Sequence, residues 1–312
     1  MIEVRDLTKT YGQRTAISKL NFSVAKGEVV GFLGPNGAGK TTTMKIITGF
    51  MAPSSGSVQV AGFDVFEDPI EVKKRIGYLP ETPPVYVDMR VREYLKFVAQ
   101  LKGVPDEKLT SLVNNAIDKT DLGAVAERLI GNLSKGFRQR VGISQALVSD
   151  PEILILDEPT VGLDPRQVAE IRNLIKSLAG QHTILLSTHI LPEVQASCER
   201  IIIINQGHIV AEDTLDGIAK KMSGSGRVIV RVQTSSDQLL TAIRGVSGVR
   251  SVAVGANHSL EIETDGKDGI SQQIASQVVS SGAGLIEIRA ESMNLEDVFL
   301  KLTSKEEQQG VL

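Results

Sequence analysis

A glycine-rich run, GPNGAGKT at residues 34–41, stands between the apolar stretch 29–33 and a segment of helical spacing at 44–49. It fits G-x-x-x-x-G-K-[ST], and a strand before and a helix after it are the context in which that spacing binds phosphate. Glycines let the chain wrap with its N–H groups pointing inward, and the helix N-terminus adds positive potential. The Lys40 ammonium then reaches the β- and γ-phosphates and the Thr41 hydroxyl ligates magnesium. The alternative is a chance glycine turn; at average residue usage a shuffled chain of this length carries the pattern about one time in a hundred. A second cluster, ILILDE at 153–158, is an apolar strand ending in two acids. It puts Asp157 at the carboxyl edge of a sheet to hold magnesium, directly or through water, and Glu158 one residue on, where a carboxylate polarises an attacking water. Alone, such a pair is more often a helix cap or a solvated edge; beside a phosphate loop it reads as catalytic.

These residues need a sheet to hold them. Residues 2–7 and 20–24 read as strands of an antiparallel layer, with a polar stretch at 8–19 between them. Residues 57–61 and 75–79 form a further strand pair around an acidic turn at 64–71. From 91 to about 149 the apolar spacing is helical, broken at Gly103-Val104-Pro105, and the block of about 85–150 reads as a helical insertion. Short buried strands at 153–156 and 183–186, with a helix at 166–178 between them, imply a parallel sheet covered by helices. KKMSGSG at 220–226 has linker character. Beyond it the alternation spells β-α-β-β-α-β, a small α+β sandwich of ferredoxin-like kind, followed by an apolar-faced helix at 295–302. The expected organisation is a first domain at 1–220, a linker at 221–226 and an accessory or regulatory domain at 227–312.

Composition narrows the classes. Of 312 residues 41% are hydrophobic and 23% charged, ordinary globular usage for about two domains. The longest branched-aliphatic run is 201–204, far short of the roughly 20 apolar residues of a spanning helix. The N-terminus carries charges where a signal peptide is apolar, so a cytoplasmic location is expected. One cysteine and four scattered histidines argue against a disulfide or a zinc cluster. Basic and acidic residues number 26 and 26 over 1–223 and 8 and 11 over 224–312. With no basic domain or arm, no nucleic-acid partner is expected. Eleven of the twelve aromatics lie at or before Phe137, a split that agrees with the domain boundary.

Between the two clusters stands LSKGFRQR at 133–140, and here the chain resembles the ATP-binding subunit of an ABC transporter. The resemblance covers about residues 1–220. It rests, in order, on the phosphate loop, this signature, the acid pair, the D-loop VGLD at 161–164 and a histidine after a strand, His189 in LLSTH. GYLPETPP, LSKGFRQRVGISQAL and LEDVFLKLT look like the exporter branch that includes drug, sodium and gliding-motility ATPases, the gliding-motility type most of all.

The resemblance implies a P-loop α/β core with an antiparallel β layer and a helical subdomain, and ATP and Mg2+ as cofactors. Tyr11, with Ala16 five residues on, takes the place of the aromatic that stacks on adenine. Gly34, Pro35, Asn36, Gly37, Ala38, Gly39, Lys40, Thr41 and Thr42 hold the nucleotide, and Thr41, Asp157 and Glu81 the magnesium. Lys40, Glu158 and His189 are the catalytic set, with His189 on the γ-phosphate and the attacking water. Ser134 and Gly136 contact the γ-phosphate bound to the opposite subunit, and Asp164 bridges the two subunits. The functional unit is thus a homodimer or a paired ATPase, lying at the inner face of the membrane through a separate permease. Two departures stand out. Glu81 occupies a place where many relatives have glutamine, and a carboxylate accepts a magnesium-bound water but cannot donate as an amide does. Lys135 and Phe137 replace the commoner glycine and glutamine.

A soluble ABC ATPase acting on DNA or ribosomes is the alternative, but the chain has neither a long coiled coil nor a second half with a basic linker. The order of elements at 226–312 also suits an RNA-recognition sheet or a small-ligand regulatory module. The candidate strands there have no aromatics to stack bases, which favours a regulatory or dimerisation module.

Overall fold

The computed structural model describes residues 1–222, 227–255, 259–265, 267 and 269–291, in two compact units, Met1–Thr214 and Leu215–Leu312. No helix among the described residues is long and apolar enough to cross a membrane.

The first unit opens with a hairpin, β1 (Ile2–Tyr11) and β2 (Arg14–Val24), paired from Ile2 opposite Val24 to Tyr11 opposite Arg14. The polar stretch expected to separate two short strands is itself strand. Only one face of the hairpin meets the core, where Leu7, Ile17 and Leu20 are buried, so polar side chains are admitted on the other. Gly12, at φ 58°, turns the chain. β3 (Val29–Leu33) is buried at all five positions, as a strand covered on both faces must be. α1 (Lys40–Ile47) begins at the loop's lysine. β4 (Ser55–Val60) and β5 (Phe63–Asp64) complete an antiparallel sheet of order β2-β1-β4-β5. Part of the expected acidic turn is helical: α2 (Pro69–Arg75) carries proline in its first turn, and Glu71 pairs with Lys74 and Arg75 at 2.8 and 2.7 Å. β6 (Ile76–Leu79) follows.

The helical insertion comprises α3 (Val91–Leu101), α4 (Asp106–Lys119) and α5 (Lys135–Leu147), around its own core of Leu95, Val113, Ile117, Leu122 and Val141. The chain then returns through β7 (Ile153–Asp157), α6 (Pro165–Leu178), β8 (Thr183–Thr188), α7 (Leu191–Ser197), β9 (Arg200–Asn205) and β10 (His208–Thr214). The second sheet has the order β10-β9-β3-β8-β7-β6. All its pairs are parallel except β10 with β9, joined by the turn Gln206-Gly207 with φ of 45° and 81°, as a tight hairpin requires. Phe22, Phe32, Met44, Ile46 and Ile202 belong to the core shared by the two sheets and α1.

In the second unit α8 (Leu215–Met222) includes residues 221–222, which the sequence suggested as the start of a linker. The apolar pair Leu215 and Ile218 recurs at helical spacing, and Ile218 is buried; residues 223–226 lie outside the described residues. Then come β11 (Arg227–Val232), α9 (Asp237–Arg244), β12 (Val249–Val254), β13 (Ser259–Thr264), α10 (Ile270–Ser280) and β14 (Leu285–Glu291). This is β-α-β-β-α-β, in an antiparallel sheet of order β12-β13-β11-β14. Val228, Val230, Leu260 and Ile262 from the sheet pack with Leu239, Ile243, Ile274 and Val278 from the helices. The expected helix at 295–302 lies outside the described residues.

Candidate functional site

Parallel strands deliver their following loops to one edge, and ligands of open α/β sheets bind there. Leu33 stands beside Thr188, and Asp157 beside Ser187, so the phosphate loop, the acid pair and His189 emerge next to one another. The loop's path needs its glycines. A Cβ on Gly34 would overlap the carbonyl oxygen of Ile204, and one on Gly39, at φ 109°, would lie 3.0 Å from that of Ala16. Gly37 is also left-handed, at φ 80°. The turn between β9 and β10 supports the loop from behind: Gly207 N donates to Ala38 O at 3.0 Å. Ala38 N donates to Pro35 O at 3.2 Å.

Lys40 is buried, its Nζ donating to the carbonyls of Gly34 and Pro35 at 2.8 and 3.2 Å. The same Nζ stands 3.4 Å from Glu158 Oε1. Glu158, also buried, adopts φ 50°, and its N–H donates to Ser187 O at 2.9 Å. Its carboxylate meets His189 Nδ1 at 2.9 and 3.0 Å. Lysine, glutamate and histidine thus form one contiguous chain of contacts. Asp157 is fully buried, and neither of its carboxylate oxygens makes a hydrogen bond. Burial first of all pushes its carboxyl above the ordinary aspartate value. The Ser187 and Thr41 hydroxyls, near it but short of full hydrogen-bond geometry, pull the other way, while Glu158 and Glu81 add to the rise.

A cavity of about 830 Å³ opens over this edge. Of the residues expected from the sequence, Tyr11, Asn36, Gly37, Gly39, Lys40, Thr41, Thr42, Glu81, Glu158 and His189 line it. Tyr11 is half exposed at the hairpin end, its hydroxyl 2.8 Å from Met51 Sδ. Arg14, Thr15 and Gln206 also line the cavity and were not singled out in the sequence. Arg14 faces Tyr11 across the hairpin, a pairing visible only once the polar stretch is recognised as strand, and Gln206 sits in the β9–β10 turn.

Ser134, Gly136 and Asp164 are not among the lining residues. Ser134 caps α5, its hydroxyl accepting from Phe137 N at 3.4 Å, and Asp164 caps α6, accepting from Gln167 N at 2.9 Å. The two helix starts interlock within the chain. The Gln167 side chain fills the space a Cβ on Gly136 would need, 2.7 Å from that position, and Lys135 Nζ occupies the same space over Gly162.

With this geometry in place, likeness to known proteins is informative. Residues 17–161 match the ABC transporter family. The bacitracin transport ATP-binding protein BcrA of Bacillus licheniformis is 32% identical, across 97% of this chain and 97% of its own. The linearmycin resistance ATP-binding protein LnrL of Bacillus subtilis (strain 168) is 30% identical, across 98% and 99%. Among solved structures, the dimeric bacterial ABC transporter cassette MJ0796 is 26% identical with a TM-score of 0.64, over 69% of this chain and 99% of its own. The chain therefore belongs to the ABC transporter ATP-binding family. It is an ATP-binding, ATP-hydrolysing subunit of such a transporter, and the related MJ0796 cassette is dimeric.

Proposed function

We propose that this chain hydrolyses Mg-ATP in the 830 Å³ cavity and, paired with a second ATP-binding subunit, drives a separate integral membrane permease in export. One observation carries the catalytic reading: Glu158 touches both Lys40, at 3.4 Å, and His189, at 2.9 Å, beside the glycine loop. In this reading the loop of residues 34–39, through N–H groups such as those of Gly37 and Gly39, cradles the phosphates together with Thr42 and the start of α1. Lys40 neutralises the β- and γ-phosphates, and Tyr11 stacks on adenine. Glu158 takes a proton from the water whose oxygen bonds to the γ-phosphorus as the bridge to the β-phosphate breaks, and His189 holds the γ-phosphate and that water in line.

Thr41, Asp157 and Glu81 would hold magnesium. The fit is supported by Asp157, whose buried carboxylate oxygens have no hydrogen-bond partner. Among the described residues no cluster of three or more His, Cys, Asp or Glu gathers to cage a metal. That suits magnesium, which is commonly held by one or two carboxylates plus phosphate oxygens. When bound it neutralises charge developing on the phosphoryl oxygens.

Ser134 and Gly136 present the start of α5 to the nucleotide of the paired subunit, and Asp164 bridges the pair. The surface exposure of Ser134 and Asp164 supports this reading. A transport role is supported by the words transport and resistance in the names of BcrA and LnrL, and export from the inner face of the cell membrane is our extension of it; the gliding-motility likeness expected from the sequence has no support from these two. Residues 227–312 serve as an accessory or regulatory domain.

Glu158→Gln tests the central assignment. Hydrolysis should fall by about a hundredfold or more while ATP still binds and stabilises a dimer seen by light scattering. Hydrolysis at the parent rate, or loss of ATP binding, would overturn it.

A further inference from the structure

Glu193 is a buried carboxylate that the mechanism above does not use. It lies in the first turn of α7, is 4% exposed, and accepts hydrogen bonds from two hydroxyls, one in the loop after β7 and one at the end of β8. Thr160 Oγ1 donates to its Oε1, and Thr188 Oγ1 donates to its Oε2 at 2.9 Å. Thr160 stands two residues beyond Glu158, and Thr188 immediately before His189. Thr188 Oγ1 in turn accepts from Ile190 N at 3.1 Å, so the bonds run on both sides of the histidine.

We propose that Glu193 is a positioning residue for hydrolysis, its carboxylate clamping the loop after β7 to the end of β8 so that Glu158 and His189 meet in one geometry. The inference rests on the catalytic reading of Glu158 and His189 given above. The physical argument starts from cost: a carboxylate taken out of water is expensive unless hydrogen bonds compensate it, and an apolar residue would fill the space without that expense. Hydrogen bonds to an ionised acceptor are stronger and shorter than neutral ones, and here both come from segments that carry the reacting groups, the loop after β7 and the end of β8. Glu158 also needs restraint. It is held at φ 50°, a conformation that L side chains adopt at some cost, by its N–H bond to Ser187 O and its carbonyl's bond from Val161 N and by its contacts with Lys40 and His189. Removing the clamp would let the two segments separate while the phosphate loop keeps its backbone bonds, Gly207 N to Ala38 O in the β9–β10 turn and Gly34 N to Thr188 O, none of which uses the Glu193 carboxylate. A misplacement of about 1 Å costs about a hundredfold in rate, so the clamp should act on turnover and leave nucleotide affinity alone.

The test uses the full-length chain and compares Glu193→Gln, Thr160→Val and Thr160→Ser with the parent and with Glu158→Gln. Steady-state hydrolysis gives kcat and KM, equilibrium titration with a non-hydrolysable ATP analogue gives affinity, and the His189 imidazole proton resonance reports the ring's surroundings. Glu193→Gln and Thr160→Val should lower kcat by about tenfold to a hundredfold, with affinity within about twofold, and should shift the His189 resonance. Thr160→Ser, which restores the hydroxyl, should recover most of the rate and the parent resonance. If Glu193→Gln fails to fold, Thr160→Val decides alone, because it removes the hydroxyl at nearly unchanged volume. Thr160→Val at the parent kcat, an equal loss in Thr160→Ser, or weakened affinity with kcat intact would each overturn the clamp. Parent-rate hydrolysis in Glu158→Gln would instead overturn the catalytic reading beneath it.

Discussion

Replacing Asp157 by asparagine should make the ligand-free protein more stable and the enzyme worse, two effects of opposite sign from one buried charge. The carboxylate is fully buried, neither oxygen is hydrogen bonded, and Glu158 and Glu81 both add to the rise in its pKa. An amide of the same shape has no charge to desolvate. Its NH2 can donate to the Ser187 Oγ, whereas in the parent the Ser187 hydroxyl only approaches the carboxylate. The penalty for a buried polar group left unpaired is about 1–3 kcal/mol, and that sum should return to the folded state in the variant. At about 2–4 °C per kcal/mol for a unit of this size, the first unit should melt roughly 2–12 °C higher by calorimetry without nucleotide. The pH dependence has a definite sign. Because burial raises the native carboxyl above its unfolded value of 3.8, the parent's deficit is absent below that pH and grows as the pH rises through the raised native value. Ligand should reverse the order: magnesium added with ATP is expected to stabilise the parent, by about 2.7 kcal/mol at a hundredfold excess over Kd, and to add little to the variant. A variant that melts lower without ligand, or that keeps the full magnesium-dependent shift, would refute the view of Asp157 as a carboxylate held in reserve for a cation.

Two further outcomes follow from the packing. A Cβ on Gly77 would overlap the Ala146 carbonyl oxygen and come within 2.8 Å of Leu154 Cδ2. Gly77→Ala should therefore displace α5 with its Ser134 cap, lowering stability by about 1–3 kcal/mol and cutting hydrolysis more than ATP binding; unchanged melting and turnover would mean that β6 and α5 separate at no cost. Arg200 donates to both carboxylate oxygens of Glu28, at 2.6 and 3.0 Å, and to Ser23 O at 2.6 Å. Arg200→Met should lower stability by about 2–3 kcal/mol in urea at neutral pH. Since the Arg200 hydrogen bonds hold Glu28 below its usual 4.5, the gap to the parent should be full above that pH and close as the pH falls through the lowered native value. A gap that persists in acid would exclude the ion pair as its source.

What the sequence made legible was local chemistry joined to a topological rule. Lys40 and Thr41 follow an apolar strand, as do Asp157 and Glu158, and His189 follows a third. Once the strands are parallel and adjacent, their loops have to share an edge, and the pairing of Leu33 with Thr188 and of Asp157 with Ser187 completes the site. In the second unit the β-α-β-β-α-β order was equally plain, because the central strands β11 and β13 bury one face and alternate accordingly. Where the outcome depended on tertiary contact, the signal was weak. The polar stretch at 8–19 carries few apolar residues because one face of its hairpin is exposed, so Arg14 could not be placed opposite Tyr11. Glu193 looks in the sequence like any acid favoured in the first turn of a helix, and nothing local distinguishes a solvated carboxylate from one closed over by Thr160 and Thr188. Gly136 belongs to a recognisable signature, yet the side chain that occupies the space beside it, Gln167, lies in another helix. The residues proposed to touch phosphate are therefore written as motifs, whereas those that hold the motifs in register are ordinary polar residues whose meaning comes from burial.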